Sequence, residues 1–129
     1  IGHSGRHADQ SMIDLNEYRH QIERALEYSG GTHVYEDVLQ GVVEGRMQAW
    51  VNGKSVAITE IIVYPRKKVL NGFLAAGNMR EILEMVPSAA EWGRQMGCTA
   101  FTLAGRKGWQ RVFGKRGWRT AFYVLETEL

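Results

Sequence analysis

The sequence predicts one mixed α/β domain, an α+β arrangement in the order ααβββαβαβ, with a central mixed sheet flanked by helices. Three observations carry that reading. A length of 129 residues suits a single domain and allows roughly two thirds of the unfolded surface to be buried. The composition, 44% hydrophobic and 23% charged, is that of an ordinary packed globule. The spacing of apolar residues switches repeatedly between helical and strand periods along the chain, with glycines at most of the switches.

Residues 1–11 are polar, aperiodic and contain Gly2 and Gly5. They read as a flexible leader, or an expression remnant, ahead of a natural start at Met12, which leaves 12–129 as the domain. His3 and His7 stand four apart, but nothing around them is helical, so no metal site is expected there. From Asp14 the apolar residues Leu15, Tyr18, Ile22, Ala25 and Leu26 fall at helical spacing, with Asp14 as cap and Gly30-Gly31 as stop. Thr32 opens a second helix that buries Tyr35, Val38, Leu39 and Val42 and closes at Gly45. Strands follow at Met47 to Val51 and Ser55 to Tyr64, joined by Asn52-Gly53, a two-residue hairpin signal. Val69 to Ala76 is the third strand. Residues 79–96 form a long helix with Pro87 as a point of kinking. Cys98 to Leu103 is a mostly apolar central strand, Gly108 to Arg116 a short helix, and Trp118 to Glu126 the last strand. No internal repeat or interdomain linker is present.

Several function classes are set aside at this stage. No stretch approaches the length of a membrane span and no signal-peptide pattern is visible. The single cysteine, Cys98, allows no internal disulfide and sits in an apolar run, as a small buried hydrophobe does. Both features fit a reducing, cytoplasmic setting. His20 and His33 lack a surrounding motif and read as surface residues; no Walker loop or Cys/His metal pattern occurs. Charge is uneven: residues 1–64 carry five Lys/Arg against nine Asp/Glu (net −4), and residues 65–129 carry eleven against five (net +6). The basic half favours an anionic partner.

Two local marks add a resemblance. Glu91-Trp-Gly-Arg-Gln-Met-Gly97 runs into the strand Cys98–Leu103, and Gln110-Arg-Val-Phe-Gly-Lys-Arg-Gly-Trp118 is similar to a Tyr-x-x-x-Gly-Phe close with Gly117-Trp118 at its end. With the element order, these make residues 13–129 resemble the GCN5-related N-acetyltransferase (GNAT) family. The Gly105-Arg-Lys-Gly-Trp109 stretch resembles phage and prophage members, which would allow a virion-associated role. The resemblance implies acetyl-coenzyme A held where two parallel strands diverge, here Val69–Ala76 and Cys98–Leu103. It implies a coenzyme site near Leu74, Ala75, Ala76, Gly77, Asn78, Arg80, Arg106 and Trp109, with the pyrophosphate on amides at the start of the long helix. It also implies an amine acceptor, small molecule or protein.

The chain departs from the family pattern in three places. Gly77, Arg80 and Ile82 occupy the positions of Arg/Gln-x-x-Gly-x-Gly/Ala, Arg106 stands where an Asn is usual, and Phe113 stands where the family places its acidic tyrosine. Tyr123 is the nearest alternative hydroxyl for the leaving thiolate. Glu60 interrupts the apolar run Ile58–Val63. It is either the group that takes the proton from the amine, a role suited to a carboxylate among apolar neighbours, or an outward residue on an alternating strand. The basic segment 106–119, interleaved with Trp109 and Trp118, suits nucleic acid, the coenzyme's phosphate and adenine, or a solvated face over core aromatics. The alternative to an acetyltransferase is a catalytically silent module of the same fold that binds protein or nucleic acid.

Overall fold

The computed structural model describes residues 13–105 and 107–129. The expected leader with His3 and His7, and Arg106 among the coenzyme-site residues, lie outside the described residues.

The Asp14 carboxylate accepts from the Asn16 N–H at 3.1 Å and caps a 3-10 turn, Leu15–Tyr18, that runs into helix α1 (Arg19–Leu26). The helix expected from Asp14 is therefore split, its first turn wound tighter. Helix α2 is Tyr35–Val43. It opens three residues after the expected Thr32, whose hydroxyl meets the His33 ring at 2.7 Å. The Asp37 carboxylate accepts the Val34 N–H at 2.9 Å and sets the start there by closing back on the preceding turn.

Strands β1 (Met47–Asn52) and β2 (Ser55–Val63) form the expected hairpin. Its turn sits one residue further along than Asn52-Gly53, because Asn52 pairs with Ser55 and Gly53 takes the positive φ of 61°. A Cβ at Gly53 would also collide with the Glu81 carboxylate. Strand β3 is Lys68–Ala76 and helix α3 is Met79–Gln95. The helix passes through Pro87 without a break. Pro87 lies on the exposed face, so the Leu83 carbonyl it leaves unpaired can meet water. Lys68 Nζ donates to Met96 O at 2.9 Å and ties down the far end of α3. Strand β4 (Ala100–Leu103) and helix α4 (Gly108–Gly114) follow.

The sheet order is β1-β2-β3-β4. The first two pairings are antiparallel and β3–β4 is parallel, with α3 as the crossover. Alternation along the strands serves two layers. Ala49, Val56 and Ile58 pack with Ile22 and Val38 beneath α1 and α2. Trp50 and Leu70 pack with Ile82, Met85, Ala89 and Trp92 beneath α3. Cys98 is buried in the second layer, where desolvation raises its thiol pKa.

The segment after α4 departs from expectation. Among the described residues no strand follows β4, and Phe122, Tyr123, Val124 and Leu125 are 72, 82, 80 and 95% exposed. Strand preference is realised only on a paired, pleated surface. Trp118 packs tilted against Phe101 and edge-on against Phe113, at 5.2 and 5.0 Å between ring centroids.

Candidate functional site

The site is built by the parting of β3 and β4. Their parallel pairing runs only from Val69↔Ala100 to Gly72↔Leu103. At the next step the β2–β3 register shifts: Thr59 faces Gly72 while Ile58 faces Leu74, leaving Phe73 as an extra residue. A bulge of this kind bends its strand and strengthens the twist. Among the described residues, Phe73–Ala76 therefore continues with no partner on the β4 side. Gly72 makes room for the Leu103 side chain, which a Cβ would strike.

The resulting cavity, about 360 Å³, falls within the range of small-molecule sites. It runs between the two layers. Trp50, Ile82, Met85, Ala89, Phe101 and Phe113 line it under α3 and α4, and Ala25, Tyr28 and Ser29 line it near the end of α1. Asn71 to Ala75 of β3 form the rim between them. Most of this lining is apolar. The buried Thr59 hydroxyl also borders it, but it is engaged: it accepts from Trp50 Nε1 at 2.9 Å and donates to Gln48 Oε1 at 2.8 Å.

A row of polar side chains crosses three strands beside this cavity. Register places Glu60 opposite Asn71 and Asn71 opposite Thr102. Asn71 Nδ2 donates to Glu60 Oε2 at 3.2 Å, and the Thr102 hydroxyl donates to Asn71 Oδ1 at 2.9 Å. The row fixes the Asn71 amide, because its oxygen is occupied from one side and its nitrogen faces the carboxylate on the other. Glu60 is half-buried and does not simply point to water.

The start of α3 lies at the open end of β3. Gly77, at φ 124°, brings the backbone so close to Ser55 that a side chain would clash. The Ser55 hydroxyl accepts the Asn78 N–H at 3.0 Å and donates to Glu81 Oε1 at 2.6 Å. Asn78 Oδ1 accepts the Glu81 N–H at 2.8 Å. Helix geometry leaves the Met79 and Arg80 N–H groups without intrahelical acceptors. The Arg80 guanidinium is exposed and pairs with Glu84 at 3.3 Å, so it does not plug the cavity. Ile82 does line it.

Of the residues named from sequence, Leu74, Ala75 and Trp109 line the cavity. Glu60 reaches it through Asn71. Ala76, Gly77, Asn78 and Arg80 lie past its rim, at the junction with α3. Tyr123 stands on the exposed last segment and is not brought to Glu60. Asn71 was open to sequence reasoning by the signal that picked out Glu60, a polar residue inside an apolar strand. Phe101, Leu103 and Met85 carried no such signal. In the basic segment, the rings pack on one another, with Trp109 stacked on Phe113 at 5.7 Å. Lys107, Arg111, Lys115, Arg116 and Arg119 stay exposed. Among the described residues no group of three or more possible metal ligands occurs, and no helix is long and apolar enough to cross a membrane.

No family model and no curated protein sequence matches the chain. Solved structures do. A GCN5-related N-acetyltransferase from Ralstonia eutropha JMP134 superposes with a TM-score of 0.63 at 14% identity, over 94% of this chain and 93% of that one. A predicted acetyltransferase from Clostridium acetobutylicum, solved with acetyl-CoA, gives 0.62 at 11% identity over 94% and 90%. A Trypanosoma brucei acetyltransferase gives 0.60 at 12% identity over 91% and 96%. The fold is GNAT-like: one mixed four-stranded sheet flanked by helices, in a single domain.

Proposed function

We propose that the protein binds acetyl-coenzyme A in the cavity between β3 and β4 and transfers the acetyl group to an amine. The observation that carries this reading is the unpaired edge of Phe73–Ala76 beside an apolar cavity. Free backbone N–H and C=O groups there can pair with the amides of an extended ligand as a strand would, and the apolar walls suit its methylene arm. The likeness to an acetyltransferase solved with acetyl-CoA supports the choice of ligand.

The residues present fit the group in part. The Met79 and Arg80 amides and the Arg80 guanidinium would hold the pyrophosphate at the positive end of α3. Glu81 opposes it, since a carboxylate sits in the same first turn. Acetyl-coenzyme A supplies the acetyl group as a thioester, which an amine captures with release of the thiol. Glu60, fixed through Asn71, takes the proton that the amine loses, directly or across one water. Tyr123 can protonate the thiolate only once its segment folds over a cavity.

Calorimetric titration with acetyl-coenzyme A tests the proposal. Saturable heat and a rise in melting temperature are expected; neither at millimolar ligand would leave the fold as a silent binding module. Glu81→Gln, which keeps an acceptor for Ser55, should tighten coenzyme binding by about two- to fivefold, the usual worth of one charge near a helix start. Unchanged or weaker binding would place the pyrophosphate elsewhere.

A further inference from the structure

Residues 107–119 hold a charge that the rest of the molecule does not balance. No Asp or Glu stands between Glu91 and Glu126. Elsewhere Arg19, Arg46, Arg80 and Arg94 each meet a carboxylate. Lys107, Arg111, Lys115, Arg116 and Arg119 are exposed, and none of them forms an ion pair among the described residues. Glu126 and Glu128, the next carboxylates along the chain, pair with none of the five.

Local structure aligns three of these cations. Helix α4 runs Gly108–Gly114, with helical backbone at Lys107 before it and at Lys115 after it. Lys107, Arg111 and Lys115 therefore form one row, about 6 Å from each to the next and about 12 Å in all. Trp109 and Phe113 stand about 200° round the helix from that row, on the side that lines the cavity. Within the molecule the row is unfavourable. Like charges four residues apart repel, and Lys107 sits at the helix start, where the dipole disfavours a cation. An external anion with charges spread along its length offsets both costs.

We propose that this outer face of α4, with Arg116 and Arg119, binds the phosphate backbone of nucleic acid without regard to base sequence. The inference does not rest on the coenzyme reading. A coenzyme's isolated phosphate meets one end of the row, whereas about 12 Å of duplex carries about seven charges. Between its cations the face exposes Gly108, Gln110 and Gly114. It thus lacks the apolar anchor that a protein partner or a membrane surface would engage. The rings beneath are packed on one another, so the contact is to phosphate and not to base.

Fluorescence anisotropy of a labelled DNA duplex of about 20 base pairs, titrated with the full chain, tests this. With about three to five phosphate contacts, affinity should fall about 40- to 500-fold between about 50 and about 200 mM salt. A duplex of scrambled sequence should bind within about twofold. Arg111→Gln combined with Lys115→Gln should weaken binding by about tenfold or more at low salt and reduce the log–log salt slope by about 2. Helix content and melting temperature should hold in that variant, because both side chains are exposed. Arg24→Gln, on the exposed side of α1, should leave affinity and slope unchanged. Absence of binding at low salt, an affinity indifferent to salt, or an unchanged slope in the double variant would each overturn the proposal. So would displacement of the duplex by coenzyme A, polyglutamate or phosphatidylserine vesicles as readily as by unlabelled duplex at matched charge. Those three results would assign the row to the coenzyme, an acidic protein or a membrane surface respectively.

Discussion

Glu60→Gln should slow acetyl transfer by about 10²-fold or more at saturating substrates, the usual loss on removing a positioned proton acceptor. Its affinity for acetyl-coenzyme A should stay within about twofold of the parent, because Glu60 borders the cavity only through Asn71. Glutamine preserves shape and leaves an oxygen for Asn71 Nδ2, which now donates at 3.2 Å, so the row to Thr102 need not rearrange. What is lost is the ability to hold a proton. The effect should therefore fall on kcat, with the melting temperature nearly unchanged. Asn71→Ala should act more mildly, leaving a carboxylate that is present but no longer aimed. Steady-state kinetics on the two variants decides the matter: equal rates in Glu60→Gln and parent would remove Glu60 from the chemistry.

Features governed by local chemistry were readable in the amino-acid sequence. The hairpin at Gly53, the cap at Asp14 and the helix stop at Gly97 follow from near neighbours, and each stands within a residue or two of expectation. Glu60 was readable as well, because a carboxylate inside Ile58–Val63 breaks a simple pattern. Non-local decisions were not. Whether Glu60 faces water or Asn71 depends on the β2–β3 register, and the bulge at Phe73 that opens the cavity is a property of two strands together. The role of Gly77 was hidden for the same reason: it allows close approach to Ser55, twenty-two residues away in sequence. The stretch 118–126 shows the limit most plainly, since its composition states a preference for pairing without naming the partner.

Trp50→Ala should cost about 3–5 kcal/mol of stability, the range for deleting a buried aromatic. The side chain is 2% exposed, packs edge-on against Trp92 at 6.0 Å and donates its indole N–H to Thr59 at 2.9 Å. Its loss opens a void that cannot close readily, because Trp50 already borders the cavity beneath α3. It also strips a buried hydroxyl of its donor. Trp50→Phe separates the two contributions: the ring keeps most of the packing, and the missing N–H should cost about 1–3 kcal/mol. Urea denaturation should show the alanine midpoint falling by roughly 2 M, at the slopes usual for small domains. An alanine variant no less stable than the phenylalanine one would mean that packing contributes little, and that the polar chain Trp50–Thr59–Gln48 alone holds this wall of the cavity in place.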